Sequence, residues 1–219
     1  INNLNLPNLH YLKHSGVYDV ADVSFVVWDV WEDEENYIKA SDFKADTKVA
    51  LYHGTVDRSK TDVGFSLPGK VTIDYFDDYD MGLIGDIHKR QYLNEEKTIA
   101  YCGSLIQQNH GEGIGHGYLL WEVPTRTAEY IEIPNDYGYY TIDIDDGIVP
   151  DVDDMPEKAR LRVRVSNTDG AQLKKCLAVI HHRHGIKDVT ITRVDRRERV
   201  RGEEHIVIGD VNDTDYQYE

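Results

Sequence analysis

The sequence predicts a mixed α/β chain, with a sheet-dominated first part followed by a small βαβ-like unit. Three observations carry this reading. Short β-rich segments bounded by Gly, Asp, Asn or Pro recur through the first part. Residues 147–156, GIVPDVDDMP, combine two prolines, a glycine and three aspartates, a breaker-rich composition that marks a boundary. Beyond it, an alternating strand leads into a helical repeat and then a second strand.

In chain order, strands are expected at 23–30, 47–52, 82–84, 98–101, 117–123 and 128–133. The implied division is a first domain over 1–146, a linker over 147–156 and a second domain over 157–219. After the linker, 160–165 reads RLRVRV, which puts Leu161, Val163 and Val165 on one face and arginines on the other. Thr168 or Asp169 can cap the next helix, Leu173, Leu177 and Ile180 recur at helical spacing, and Gly185 supplies a stop. A strand over 188–194 closes the unit. At about 60 residues it is small, and is expected to pack on the larger domain.

The 219-residue chain is long enough for a full core and a second smaller unit, and 40% hydrophobic content is that of a globular protein. No apolar run approaches the roughly 18–20 residues of a membrane span. The first residues, INNLNLPNLHYL, form no signal peptide and include no Met, so the chain is expected to begin within a longer protein. Cys102 and Cys176 lie far apart and outside any CxxC pattern. That argues against a disulfide framework or zinc knuckle and for a soluble protein of the reducing cytoplasm, which is the host cytoplasm if a phage encodes it.

A formal charge of −16 argues at first against nucleic acid, because phosphate binding draws on Lys and Arg. The charge is unevenly spread. Residues 1–156 hold 11 Lys+Arg against 29 Asp+Glu, net −18, whereas 157–219 hold 13 against 11, net +2. An acidic region can act on DNA if divalent cations neutralise its site and a second unit supplies basic surface. A merely solvated acidic surface is the alternative.

Three segments carry candidate chemistry. In the first, an apolar strand ends at His53 followed by Gly54. An imidazole at a strand tip can ligate a metal, and glycine lets backbone approach; a hydrogen-bonded structural histidine is the alternative. In the second, Gly82-Leu83-Ile84 runs into Gly85-Asp86-Ile87-His88-Lys89-Arg90. Asp86 and His88, two residues apart, point to one side of an extended turn and could reach two adjacent cations; otherwise this is a charged turn. The third is the glycine-rich stretch with Gly103, Ser104, His110, Glu112 and His116, which could lie on a phosphate backbone or be an ordinary hairpin loop.

In their order, these segments resemble the calcineurin-like metallophosphoesterases, and within them the SbcD-type double-strand-break repair nucleases that include the recombination endonuclease subunit of tailed phages. His53 matches the family's strand-terminal histidine, Gly85 to His88 its Gly-His-x-His turn, and Gly103, Ser104 and Glu112 its Gly-Ser loop with a following glutamate. The strand-like 117–123 follows in the expected place. The resemblance covers residues 1–135, and the later unit looks like the family's small capping domain.

The resemblance implies an incomplete metallophosphoesterase β-sandwich with a βαβ-like cap. It implies two Mn²⁺ ions, with Mg²⁺ as an alternative, His53 and Asp86 serving one metal and His88 the other. It further implies DNA as substrate, an SMC/ABC-type ATPase partner, and a fold that admits a homodimer. Two departures stand out. Asp86 occupies the place of the first histidine of the turn, an oxygen donor suited to Mn²⁺ or Mg²⁺. The early motifs Asp-x-His, Gly-Asp-x-x-Asp and Gly-Asn-His-Asp are absent, and 4–11 resembles the segment that follows the last of them. The N-terminal third of the domain is therefore expected to be missing, leaving the isolated chain inactive and the leaving-group histidine unassigned.

DNA contacts are expected from Lys89, Arg90, Gly103 and Ser104 near the site, and from Arg160, Arg162 and Arg164, joined by the 193–201 run if the two strands pair. The His181, His182 and His184 cluster could bind metal or complement a helix dipole. Tyr137, Tyr139 and Tyr140 could stack on bases or pack between domains. The rival to a nuclease is a non-catalytic DNA-binding or scaffold module that keeps the fold.

Overall fold

The computed structural model describes residues 11–194, apart from the Arg183 side chain. Residues 4–10 of the expected 4–11 resemblance, most of the 193–201 basic run and the acidic tail lie outside the described residues. The chain is mixed α/β and rich in strands, and divides into two units at Gly138/Tyr139.

The first unit is built on a six-stranded sheet of β1 (Gly16–Val20), β2 (Val23–Trp28), β3 (Thr47–His53), β4 (Met81–Gly85), β5 (Gln91–Tyr92) and β6 (Ile99–Tyr101). Its order is β1-β2-β3-β4-β6-β5. The four inner strands β2, β3, β4 and β6 run parallel, with β1 and β5 antiparallel at the edges. Parallel strands must be covered on both faces, and here the crossovers are short 3₁₀ turns at Glu34–Asn36, Ala40–Asp42 and Ile73–Phe76, with no α-helix among the described residues of this unit. Aromatic rings fill the space. Trp28 stacks flat on Tyr37 at 5.2 Å and meets Phe76 at 4.9 Å and Tyr79 at 5.7 Å. Their polar ends converge on one carbonyl, Ile38 O, which accepts from Trp28 Nε1 at 3.0 Å and the Tyr79 hydroxyl at 2.6 Å. Burial raises the Tyr79 phenol well above its ordinary pKa, with the Trp28 hydrogen bond opposing.

β7 (Gly117–Glu122) and β8 (Thr127–Glu132) form an antiparallel hairpin. Its turn residue Arg126 pairs with Asp80, whose second oxygen accepts from Lys48 N at 2.7 Å at the start of β3.

The second unit is the expected βαβ element with one strand added. β9 (Tyr137–Asp145), β10 (Lys158–Ser166) and β11 (Asp188–Arg193) lie in the order β11-β10-β9, and α1 (Gly170–Arg183) links the parallel pair β10 and β11. The alternation read from RLRVRV holds: Leu161, Val163 and Val165 are buried under Leu173, Cys176 and Ile180 of α1. Asp169, not Thr168, is the cap; its carboxylate accepts from Ala171 N and Gln172 N, both at 2.8 Å, while Gln172 reaches back to Asp169 N. The helix exit is made by His184 in an extended conformation, so Gly185 does not act as a left-handed stop.

The linker expected at 147–156 lies inside this unit. Val152 and Met155 are buried in its core with Ile142 and Ile144. The prolines and aspartates that look like a boundary instead shape the β9–β10 connection, whose apolar residues point inward. No described helix is long and apolar enough to cross a membrane. In urea unfolding, Ile180→Ala should cost about 2–5 kcal/mol through the cavity it leaves. Asp169→Ala should cost about 1 kcal/mol and Asp169→Asn much less, because the asparagine still caps.

Candidate functional site

Parallel strands bring their C-terminal ends to one side of a sheet, where ligands of open α/β sheets bind. β3 and β4 end together there, because His53 pairs with Gly85, and β6 ends beside them with Tyr101 opposite Ile84. The close pass explains Gly85: a Cβ at that position would stand 2.8 Å from His53 Cδ2. The exposed His53 ring therefore lies over the start of the 85–88 turn.

Tyr101 fixes the chain that leaves β3. It is fully buried, and its hydroxyl donates to Gly54 O and accepts from Val56 N, both at 2.7 Å. Burial raises its pKa, with the Val56 hydrogen bond opposing. On the turn so held, Thr55 Oγ1 donates to Asp86 Oδ2 at 3.1 Å. Asp86 itself has φ of 102°, a conformation that costs a non-glycine residue on the order of 1–3 kcal/mol and tends to collect at functional sites.

His88 is oriented separately. Its Nδ1 lies 2.8 Å from Oε1 of Glu112, whose side chain is only 5% exposed against 41% for His88. An ionised carboxylate only accepts, so Nδ1 carries the proton and, in the neutral imidazole, Nε2 presents its lone pair. Metal-ligating histidines are commonly held in this way. Glu112 is fixed in turn by Gln108 N and Asn109 Nδ2, each at 2.7 Å. Beneath it His116 is buried, its Nδ1 2.9 Å from Ser104 Oγ and its Nε2 2.9 Å from Gly113 O.

The Gly-Ser loop is fastened to the same turn. Ser104 N donates to His88 O at 3.1 Å. Gly103 has φ of 79°, and a Cβ there would meet His88 O at 2.8 Å and Arg90 N at 3.0 Å. Three segments far apart in sequence thus meet. His88, Lys89, Arg90, Gly103, Ser104 and Tyr130 share the wall of a cleft of about 320 Å³. Within it, Lys89 Nζ donates to Thr61 O at 3.3 Å, and the Arg90 guanidinium lies over the Tyr130 ring at 4.1 Å.

Other candidates are placed elsewhere. Asp86 is engaged by Thr55 and His88 by Glu112, so their spacing alone does not join them, and no group of three His, Cys, Asp or Glu side chains forms a metal cluster among the described residues. This holds equally for His181, His182 and His184. In the second unit, Arg160 donates to the Tyr139 hydroxyl at 2.9 Å and Arg164 grips both Asp143 oxygens at 2.9 and 2.7 Å. Arg162 has neither contact. Arg193, opposite Val165 in β11, donates to Thr168 O at 3.3 Å. Tyr140 bonds Asp154 within its own unit. Both cysteines are free.

The residues not picked out individually from sequence are Thr55, Tyr101 and Tyr130. Each acts across a long loop with no local pattern; only the tyrosine after the short apolar 98–100 run was visible as a strand end.

The chain matches no known family profile. Over 199 residues it is 38% identical to an uncharacterized protein of Acanthamoeba polyphaga mimivirus, an alignment that covers 86% of this chain and 15% of that protein. The chain thus spans about 15% of the length of the curated relative it matches.

Because the Gly85 Cβ would strike only an exposed side chain, Gly85→Ala should leave the unfolding midpoint nearly unchanged while moving the His53 ring. Histidine ring resonances in NMR spectra would report this: a shift for His53 and little change for the anchored His116.

Proposed function

We propose that the chain is part of a metal-dependent DNA nuclease of the calcineurin-like, SbcD type, hydrolysing phosphodiesters in recombination and double-strand-break repair. The observation that supports it best is the His88–Glu112 pair. A buried carboxylate holds one ring nitrogen and leaves the other for a ligand, beside strand tips that carry His53 and Asp86. A strand-rich α/β fold is compatible with this reading, on which the βαβ unit would serve as the cap.

The donor chemistry fits Mn²⁺ or Mg²⁺: imidazole from His53 and His88 and an oxygen from Asp86. On this reading His53 and Asp86 would hold one ion and His88 the other. When bound, the ions would supply an activated water and charge neutralisation at the phosphate. The residues of the chain do the positioning. Thr55 orients the Asp86 carboxylate, Glu112 sets the His88 tautomer, and Gly103 with Ser104 keeps the His88 turn closed. An SMC/ABC-type ATPase and a second copy of the protein are the proposed partners, with DNA as substrate. That no three ligands converge among the described residues favours a second reading, a non-catalytic DNA-binding or scaffold module.

Cleavage of linear and hairpin DNA by the full-length protein decides between them. The nuclease reading expects activity that needs Mn²⁺, loss of it in His88→Ala, and roughly 10–100-fold weaker metal binding in Glu112→Gln. Full activity in His88→Ala would sink the assignment. For the cap, charge reversal at Arg162, the arginine engaged by neither Tyr139 nor Asp143, should weaken duplex binding for every sequence alike. The slope of log affinity against log salt should fall by about one; an unchanged affinity removes that face from the interface.

A further inference from the structure

The cleft beside His88 contains a feature that metal binding does not use. The Arg90 guanidinium carbon lies 4.1 Å from the centre of the Tyr130 ring, a cation–π contact. Arg90 is exposed and forms no ion pair among the described residues, so its charge is not taken up by a carboxylate. A guanidinium held against a ring offers a platform on which a nucleobase can stack, since unstacked bases seat on arginine and aromatic planes alike. The remaining walls suit a base edge. Asp62 and Glu132 offer acceptors for exocyclic amines, and Gly113 has open space where a side chain would stand. The cleft, at about 320 Å³, is near the lower end of small-molecule sites, roughly 300–1,000 Å³, which suits a single nucleotide and not a duplex.

We propose that this cleft takes one unpaired nucleotide of a DNA strand, its base stacked on the Arg90–Tyr130 platform and its phosphate turned toward His88. The inference rests on the nuclease reading for its orientation and adds the substrate class: an end or junction with an unpaired base. Because His88 lines the same cleft, a base seated there leaves the adjoining phosphodiester next to the imidazole held by Glu112.

The test is a titration of the full-length protein, in EDTA at low ionic strength, with a single-stranded oligodeoxynucleotide ending in 2-aminopurine, whose fluorescence falls on stacking. Binding with quenching is expected for the wild type. Arg90→Lys keeps the charge and loses the plane; it should bind roughly 10-fold more weakly, without quenching. A blunt duplex carrying the same terminal base should not be quenched. Absent binding or absent quenching in the wild type, an Arg90→Lys protein that behaves like wild type, or equal quenching by the duplex would each overturn the proposal. With divalent ions removed, the measurement reads stacking alone, so failure of the nuclease reading would appear only in the His88→Ala cleavage assay.

Discussion

The parallel register of β3 on β4 is the constraint from which the candidate site follows. Val49 through His53 pair in order with Met81 through Gly85, and a slip of one residue would turn every side chain of β3 to the opposite face. In this register Val49, Ala50, Met81 and Ile84 are buried. Burying each of the larger side chains stabilises the fold by roughly 1.5–3 kcal/mol, whereas a typical hydrogen bond contributes about 1 kcal/mol net. The apolar pattern therefore outweighs any polar preference at the tips. His53 reaches Gly85 because the core below both strands leaves it no other place. Tyr101 extends the same constraint to β6, since its ring belongs to the aromatic core and its hydroxyl sets the backbone after β3.

The strands read from the sequence lie within one or two residues of those observed, because alternation and breakers act over a few positions: 23–30 became Val23–Trp28 and 117–123 became Gly117–Glu122, whereas β1, β5 and β9 were missed. The helix α1 was legible for the same reason. What failed were readings that needed tertiary information. Residues 147–156 have a linker's composition, yet Val152 and Met155 face a core supplied by β9, β10 and α1. Nothing local shows that Trp28 will gather Tyr37, Phe76 and Tyr79 in place of a covering helix.

The candidate site divides along the same line. His53 and the 85–88 turn were visible as apolar strands running into glycine, a local signal. Their partners were not, since Thr55 meets Asp86 and Glu112 meets His88 only through the order of strands in the sheet. The two-residue spacing of Asp86 and His88 suggested a shared direction. The left-handed backbone at Asp86 and the separate anchor on His88 show that each is set by its own partner.

Acidity is the remaining difficulty for a DNA-directed reading, and the contacts within the first unit soften it. Two carboxylates at the site are already engaged by protein donors: Asp86 by Thr55, and Glu112 by Gln108 and Asn109. The long-range field over residues 1–156, net −18, still opposes a polyanion, but salt screens it beyond about 8–10 Å. Attraction must then come from terms that act at contact. On the proposed reading, stacking on Arg90, donors on a glycine-rich loop and cations at the strand tips would all be of that kind. Such a surface would discriminate by the shape and exposure of a base, because it would have little general affinity for phosphate with which to hold an intact duplex.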